Sequence, residues 1–267
     1  MRLSLITLIC LIAFSCKEAS KNTRETKPVE ETVATIDTSK YPAALNKILE
    51  AHGGLDTWKS KRVLSFEIPK SDVIEKHTID LRTRDEKIES GAIVMGSDGI
   101  DIWLKDEANS YKGNAVFYHN LMFYFYSMPF VLADNGIKYS ETEALEFEGK
   151  SYPGLRISFD DGVGVSSKDE YYLHYDAETY QMAWLGYTVT FRSGEKSDDI
   201  RWIRYNDWQN VDGVILPNSL TWHEYEGRVI GKAEPALKFE NVTLSEMALA
   251  DDFFKQPEAA KVVNAKE

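Results

Sequence analysis

Residues 170–191 read EYYLHYDAETYQMAWLGYTVTF. Two runs rich in β-formers flank Asp176-Ala177-Glu178-Thr179, whose short polar side chains favour a turn, so the stretch is a long β-hairpin. The same grammar recurs on both sides. VLSFEI (63–68), HTIDL (77–81) and IDIWL (100–104) alternate or are rich in β-formers, and Ser97-Asp98-Gly99 between IVMG and IDIWL is a hairpin turn signal. In LRISF, Leu155, Ile157 and Phe159 alternate with Arg156 and Ser158. RWIRYNDW, Asp212-Gly213, ILPNSLTWHEY, Glu226-Gly227 and KFENVTL complete a meander. About ten or eleven strands joined mostly by short turns predict a mainly-β fold with helices, built on a single, strongly curved antiparallel sheet.

Before the first strand, Leu45, Ile48, Leu49 and His52 fall at i, i+3, i+4 and i+7. AALNKILEAH is therefore an amphipathic helix, ended by Gly53-Gly54 in the left-handed cap. His52 sits in its last turn, where packing or donation to free carbonyls explains it better than catalysis. Leu55 and Trp58 predict a short second helical turn that pins the first to the strands.

The chain has 267 residues and a formal net charge of −12. No basic patch is visible, and nucleic acid is excluded as a partner because phosphate contacts draw on clustered Lys and Arg. Arg2 precedes LSLITLICLIAF, an apolar run shorter than the ~20 residues of a membrane span, and the pattern of residues 1–15 is that of an export signal. Its end, Ala13-Phe14-Ser15-Cys16, resembles the lipobox of bacterial lipoproteins, with Ala13 in place of the commoner Leu. That resemblance implies a lipidated Cys16 as the new N-terminus and a membrane contact through the lipid; an ordinary secretory cleavage near Ser15 is the plainer alternative. Residues 17–40 carry many charges of both signs and no aromatic residue before Tyr41. They form a flexible tether with an expected reach of roughly 25–30 Å. The folded domain is expected over residues 41–257, followed by a disordered tail over 258–267.

One stretch interrupts the meander. Residues 116–133, VFYHNLMFYFYSMPFVLA, read as a helix apolar on every side. Such a helix is surrounded by protein or by something oily. His119, Asn120, Ser127 and Pro129 make it a poor membrane span, and Pro129 should end or kink it.

The helix ending in His52-Gly53-Gly54, the Asp98-Gly99 hairpin, the central greasy helix, YYLHYDAETYQM, VDGVILPNSLTWHEYEG and the closing NVTLSEMALADDFF together resemble the LolA/LolB lipoprotein-carrier superfamily. The resemblance implies an unclosed antiparallel half-barrel of about eleven strands with helices plugging its concave face. It also implies a Gram-negative cell-envelope location, periplasm-facing or at the surface. In that setting one side of the greasy helix packs on the sheet and the other lines a cleft for a hydrophobic small molecule, an acyl chain or a lipoprotein N-terminus. The expected ligand-binding residues are Phe117, Tyr118, Leu121, Met122, Phe123, Phe125, Tyr126, Met128 and Phe130, since aromatic and Met side chains offer large, adaptable apolar area. The alternative is a filled core, with the helix a plug and an acidic outer surface bearing Trp208 and Trp222 that docks an envelope protein partner.

Enzymatic chemistry has little to build on. His52, His77, His119, His174 and His223 are scattered, with no HExxH, no CxxC, no GxSxG and no phosphate loop. No catalytic residue, metal ligand or cofactor is expected.

Overall fold

The computed structural model describes residues 36–160, 167–191 and 193–263; the expected signal segment, Cys16 and most of the tether lie outside them. The described residues belong to one compact unit.

The fold is mainly β, as the hairpin grammar predicts, and its sheets are antiparallel and unclosed. The strands are more numerous than expected and divide between two large sheets. In spatial order the first sheet is Glu240–Ser245, Val63–Pro69, Ile74–Asp80, Glu86–Ser90, Ile93–Ser97, Ile102–Lys105 and Lys261–Val263. The second runs Val229–Ala233, Ser219–Glu226, Arg201–Arg204, Met182–Tyr187, Tyr171–Tyr175, Lys150–Phe159 and Ile137–Phe147. Trp208–Val211 and Val214–Pro217 make a separate hairpin. The chain passes from the first sheet to the second through the helical segment between Ile102–Lys105 and Ile137–Phe147, and returns where Leu237–Lys238 pairs with Ser219–Glu226 of the second and Glu240–Ser245 pairs with Val63–Pro69 of the first. Phe239, buried between these two pairings, is where the expected single sheet is divided.

Turn chemistry accounts for the hairpins. Asp176 Oδ1 accepts from the backbone N–H of Glu178 and Thr179 at 2.9 and 3.0 Å. Asp98 Oδ1 does the same for Ile100 and Asp101. Each carboxylate satisfies donors that the reversing chain would otherwise leave open. Two expectations change. RWIRYNDW and ILPNSLTWHEY each split in two, and residues 261–263, expected in a disordered tail, pair with Ile102–Lys105. Trp103 Nε1 donates to the carbonyl of Phe254 at 3.1 Å, tying the incoming segment to that edge.

Helix α1 (Ala43–Ala51) buries Leu45, Ile48 and Leu49, the stripe its spacing predicts. Gly53 and Gly54 follow with φ of 102° and 89°. A Cβ at Gly53 would lie 2.0 Å from the carbonyl oxygen of Gly213, so the close approach of helix end to hairpin requires glycine. Helix α2 (Leu55–Ser60) then buries Leu55 and Trp58, as expected.

The main core lies between α1, α2, the greasy segment and the inner faces of both sheets, with Phe66, Ile68, Leu185 and Ile203 among its fully buried members. A second cluster around Trp184 and Trp202 covers the other face of the second sheet. Strand alternation explains the division, since Trp184 and Leu185, and Trp202 and Ile203, are neighbours facing opposite ways. Trp208 and Trp222, expected as outer docking spots, are half-buried against the main core instead. Trp222 lies edge-on to Phe125 and Trp208 to His52. Among the described residues no helix is long and apolar enough to cross a membrane.

Candidate functional site

The expected continuous helix over the greasy segment is three short pieces: α3 (Ala115–Tyr118), α4 (Leu121–Tyr126) and a 3-10 turn, Phe130–Ala133. Asn114 starts the first, its side chain accepting from the Phe117 N–H at 2.9 Å. Asn120 breaks the run with a left-handed φ of 59°, a conformation Asn tolerates. Pro129 ends α4's continuation, as its missing N–H dictates.

The break is held from the first sheet. Glu86 Oε2 accepts from the Asn120 backbone N–H, and Asn120 Nδ2 donates to the carbonyl of Arg84 at 3.2 Å. Glu86 in turn meets His77 Nδ1 at 3.0 Å, while His77 Nε2 lies 3.1 Å from Glu75 Oε1, which accepts from the Tyr118 hydroxyl at 2.5 Å. Burial works against charge on His77, yet its two carboxylate neighbours raise it above the ordinary imidazole value. Burial would likewise raise Glu75, but bonds from His77 and Tyr118 outweigh it and hold the carboxyl low. This is a buried, interlinked network, in which Asn120 Oδ1 alone lacks a partner, and its effect is to fix where α3 ends and α4 begins.

The C-terminal carbonyls of the segment are satisfied by tyrosines. Tyr205 donates to Phe125 O at 2.7 Å, Tyr139 to Leu132 O at 2.5 Å and Tyr41 to Ala133 O at 2.7 Å. Such open carbonyls at helix ends are costly when buried without a partner.

Between α4 and the inner face of the second sheet lies a cavity of about 150 Å³. Phe117 and His119 border it from α3 and its C-cap, Leu121, Tyr124 and Phe125 from α4, and Val131 and Leu132 from the 3-10 turn. Ile137, Phe159 and Tyr171 close it from the sheet, with Phe191, Asp134, Asn135 and Asp169 at its margins. Phe117 packs on Phe191 with ring centres 5.1 Å apart, and Phe125 on Tyr187 at 5.0 Å.

Of the residues expected to bind ligand, Phe117, Leu121 and Phe125 line this cavity; Tyr118, Met122, Phe123, Tyr126, Met128 and Phe130 do not. Phe123 lies under the Arg84 guanidinium at 4.8 Å. Tyr126 packs on Phe66 and Phe239 at 4.6 and 4.2 Å, and Phe130 stacks on Trp58 at 4.7 Å. Met122 and Met128 are buried in the main core, and Tyr118 belongs to the Glu75 network. Helical spacing puts Tyr124 on the same side as Phe117, Leu121 and Phe125, and it lines the cavity with them; Val131, Leu132 and the sheet residues Ile137, Phe159 and Tyr171 lie outside the expected set.

The histidines stay apart. His52 Nδ1 meets Ile48 O at 2.8 Å, and burial pulls its imidazole down to about 4. Burial does the same to His174, which meets Tyr152 O. His119 and His223 each meet a backbone carbonyl, of Val116 and Gly231. Among the described residues no group of His, Cys, Asp and Glu could hold a metal ion.

Fold and cavity together define a class: an unclosed antiparallel β structure whose apolar interior is entered beside a short helix. Residues 4–217 match the family described as "Family of unknown function (DUF6503)", and the chain belongs to that family. A comparison with curated proteins finds no match. Among solved structures, the chain is similar to a DUF1329 family protein from Desulfovibrio piger ATCC 29098, at 12% identity and a TM-score of 0.48, covering 80% of this chain and 96% of that one. It is similar to a LolA superfamily protein from Nitrosomonas europaea, at 11% identity and a TM-score of 0.45, covering 78% and 96%. A putative outer membrane lipoprotein-sorting protein domain from Vibrio parahaemolyticus matches at 10% identity and a TM-score of 0.42, covering 79% and 97%. These likenesses are too distant to say what this chain binds.

Proposed function

We propose that the protein is an envelope lipoprotein, anchored through Cys16, that holds a hydrophobic group in the cavity beside α4 without transforming it chemically. The observation that carries this reading is the cavity itself, about 150 Å³ and walled by Leu121, Tyr124, Phe125, Val131, Phe159 and Tyr171. A space of that order takes a guest about the size of benzene. The end of an acyl chain or a single ring fits, and the rest of a longer ligand must lie outside. The polar residues at the margin support holding rather than catalysis: Asp134 is paired with Arg84, Asp169 accepts from the backbone N–H and hydroxyl of Thr190, and His119 meets Val116 O.

The test is a calorimetric titration of decanol into the soluble chain from residue 17 onward, with Leu121→Trp, which fills the cavity, as the control. Saturable binding by the parent and its loss in the variant support the reading; no saturable binding by the parent sinks it. Anchoring is tested apart. Cys16→Ser should leave the domain folded but release it from the membrane fraction, because residues 17–40 offer nothing amphipathic to replace acyl chains. Sedimentation of the Cys16→Ser protein with membranes after a salt wash would remove the support for lipidation.

A second reading has its own observation. Phe123, Tyr126, Met128 and Phe130 are all essentially solvent-free within the protein core, as a plug helix would be. A docking lipoprotein with a filled interior is what remains if decanol does not bind.

A further inference from the structure

On the other side of residues 134–135 from the apolar cavity lies a groove of about 460 Å³. Its floor is apolar, with Leu55, Trp58, Leu81 and Phe130 all buried. Its rim is cationic. Lys59 comes from the last turn of α2 and Lys61 from its C-cap, while Arg82 and Arg84 come from the turn between the strands Ile74–Asp80 and Glu86–Ser90. Four cations around one groove are notable in a chain of net charge −12.

The pairing of these cations shows which remain available. Lys61 is engaged with Glu246 at 3.0 Å. Arg84 donates from Nη2 to both carboxylate oxygens of Asp134, at 2.9 and 2.8 Å. Its Nη1 is buried and has no hydrogen-bond partner in the protein. Lys59 and Arg82 are exposed, and among the described residues neither forms an ion pair. Lys61 is matched by Glu246, and the single Asp134 carboxylate faces both Arg84, which it bonds, and the more distant Lys59, so the groove keeps an excess of positive charge at Lys59 and Arg82.

Asp134 and Asn135 line both the groove and the cavity. We infer that the two are halves of one site for a single-chain amphiphile with an anionic oxygen headgroup, a carboxylate or a phosphate. The head is held at the rim by Lys59 and Arg82; the chain crosses the apolar floor over Trp58 and Phe130, and its end enters the cavity past Asn135. The inference rests on the reading of the cavity as an apolar-ligand site and adds to it the charge of what binds. Guanidinium groups match carboxylate and phosphate oxygens in geometry as well as charge, and an exposed Lys supplies a point charge at the rim. The short reach of the cavity is thereby explained: it receives the end of the chain, while the groove carries the rest.

The experiment compares probes with a common ten-carbon tail, each titrated calorimetrically below its micelle concentration into the soluble chain from residue 17 onward. The probes are decanoate, decyl phosphate, decanol and decyltrimethylammonium. The expected result is that both anions bind roughly tenfold or more tightly than decanol and weaken with added salt, whereas decanol does not. Lys59→Glu/Arg82→Glu, two changes at exposed positions, should bring the anions down to the level of decanol and leave decanol unaltered. The tighter of the two anions identifies the source, a free fatty acid or a phosphate-headed lipid. Equal binding of anions and decanol, preference for the ammonium probe, or an equal loss for all probes in the double variant would overturn the anionic headgroup. Decanoate affinity unchanged by Leu121→Trp would show that groove and cavity are separate. Failure of every probe, decanol included, defeats the apolar-cavity reading itself, and the inference with it.

Discussion

Phe123 and Phe125 stand two residues apart on α4, so their side chains leave the helix on nearly opposite sides. Phe123 faces the first sheet: it is fully buried, capped by the Arg84 guanidinium, and lies next to a helix break that Glu86 and Arg84 hold in place. Phe125 faces the second sheet, where Tyr187 and Trp222 touch it on one side and the cavity opens on the other. Both are nearly solvent-free, yet one is surrounded by protein and the other borders space. A helix that is apolar all round needs oily surroundings on all sides, and here the two sides find them differently. The first sheet supplies close packing and a buried polar lock; the second supplies a wall with room behind it.

The sharpest way to break this comparison is to truncate both rings. Phe123→Ala should cost about 3–5 kcal/mol of unfolding free energy, the range for a close-packed core Phe. Phe125→Ala should cost less, because part of its environment is already empty, and should change decanol affinity where Phe123→Ala does not. Equal losses by urea denaturation would show that α4 has no open side. A smaller effect is expected of Tyr205→Phe, which removes the donor to the Phe125 carbonyl and leaves that group buried without a partner. About 1–3 kcal/mol should be lost, with the ring packing intact.

The lock on the first-sheet side predicts a pH dependence. His77 has its folded-state value raised above the ~6.5 of an unfolded chain. Its contribution is therefore fully present below ~6.5 and lost as pH rises through the raised folded value. Glu75, held low, contributes above the ~4.3 of the unfolded carboxyl and loses that as pH falls through its folded value. Melting temperature should thus be best supported between those limits and decline on the alkaline side, and His77→Gln should flatten the alkaline decline. An unchanged alkaline limb in that variant would show that the network does not lock the α3–α4 break. The smallest stability effect belongs to Leu121→Trp. This half-buried residue faces the cavity, so the larger ring should shift stability by less than ~1 kcal/mol while abolishing decanol binding.

Much of this architecture is legible in local chemistry. Asp98-Gly99, Asp176 with the residues after it, and Asp212-Gly213 mark hairpins because a turn's hydrogen bonds and left-handed φ are made within a few residues. The stripe Leu45, Ile48, Leu49 with Gly53-Gly54 fixes α1 for the same reason, and Pro129 ends or kinks a helix through its own missing N–H and ring. The strand Ile137–Phe147 escaped this reading. It is an edge strand, mostly exposed and rich in Glu, with little apolar alternation to detect.

What the sequence by itself determined, then, is a mainly-β antiparallel chain with one helix-forming segment too greasy to lie at a wet surface. Only the tertiary structure decided where that segment breaks, since Asn120 takes its left-handed turn because Glu86 and Arg84, more than thirty residues earlier, supply the partners. Helical spacing already separates Phe117, Leu121 and Phe125 from Phe123, Tyr126 and Phe130; only the tertiary structure gave the first side to the cavity and the second to the core. Composition shows that each of these rings must leave water. Whether it then meets another ring or an empty space depends on side chains brought from distant strands, and no local pattern records them.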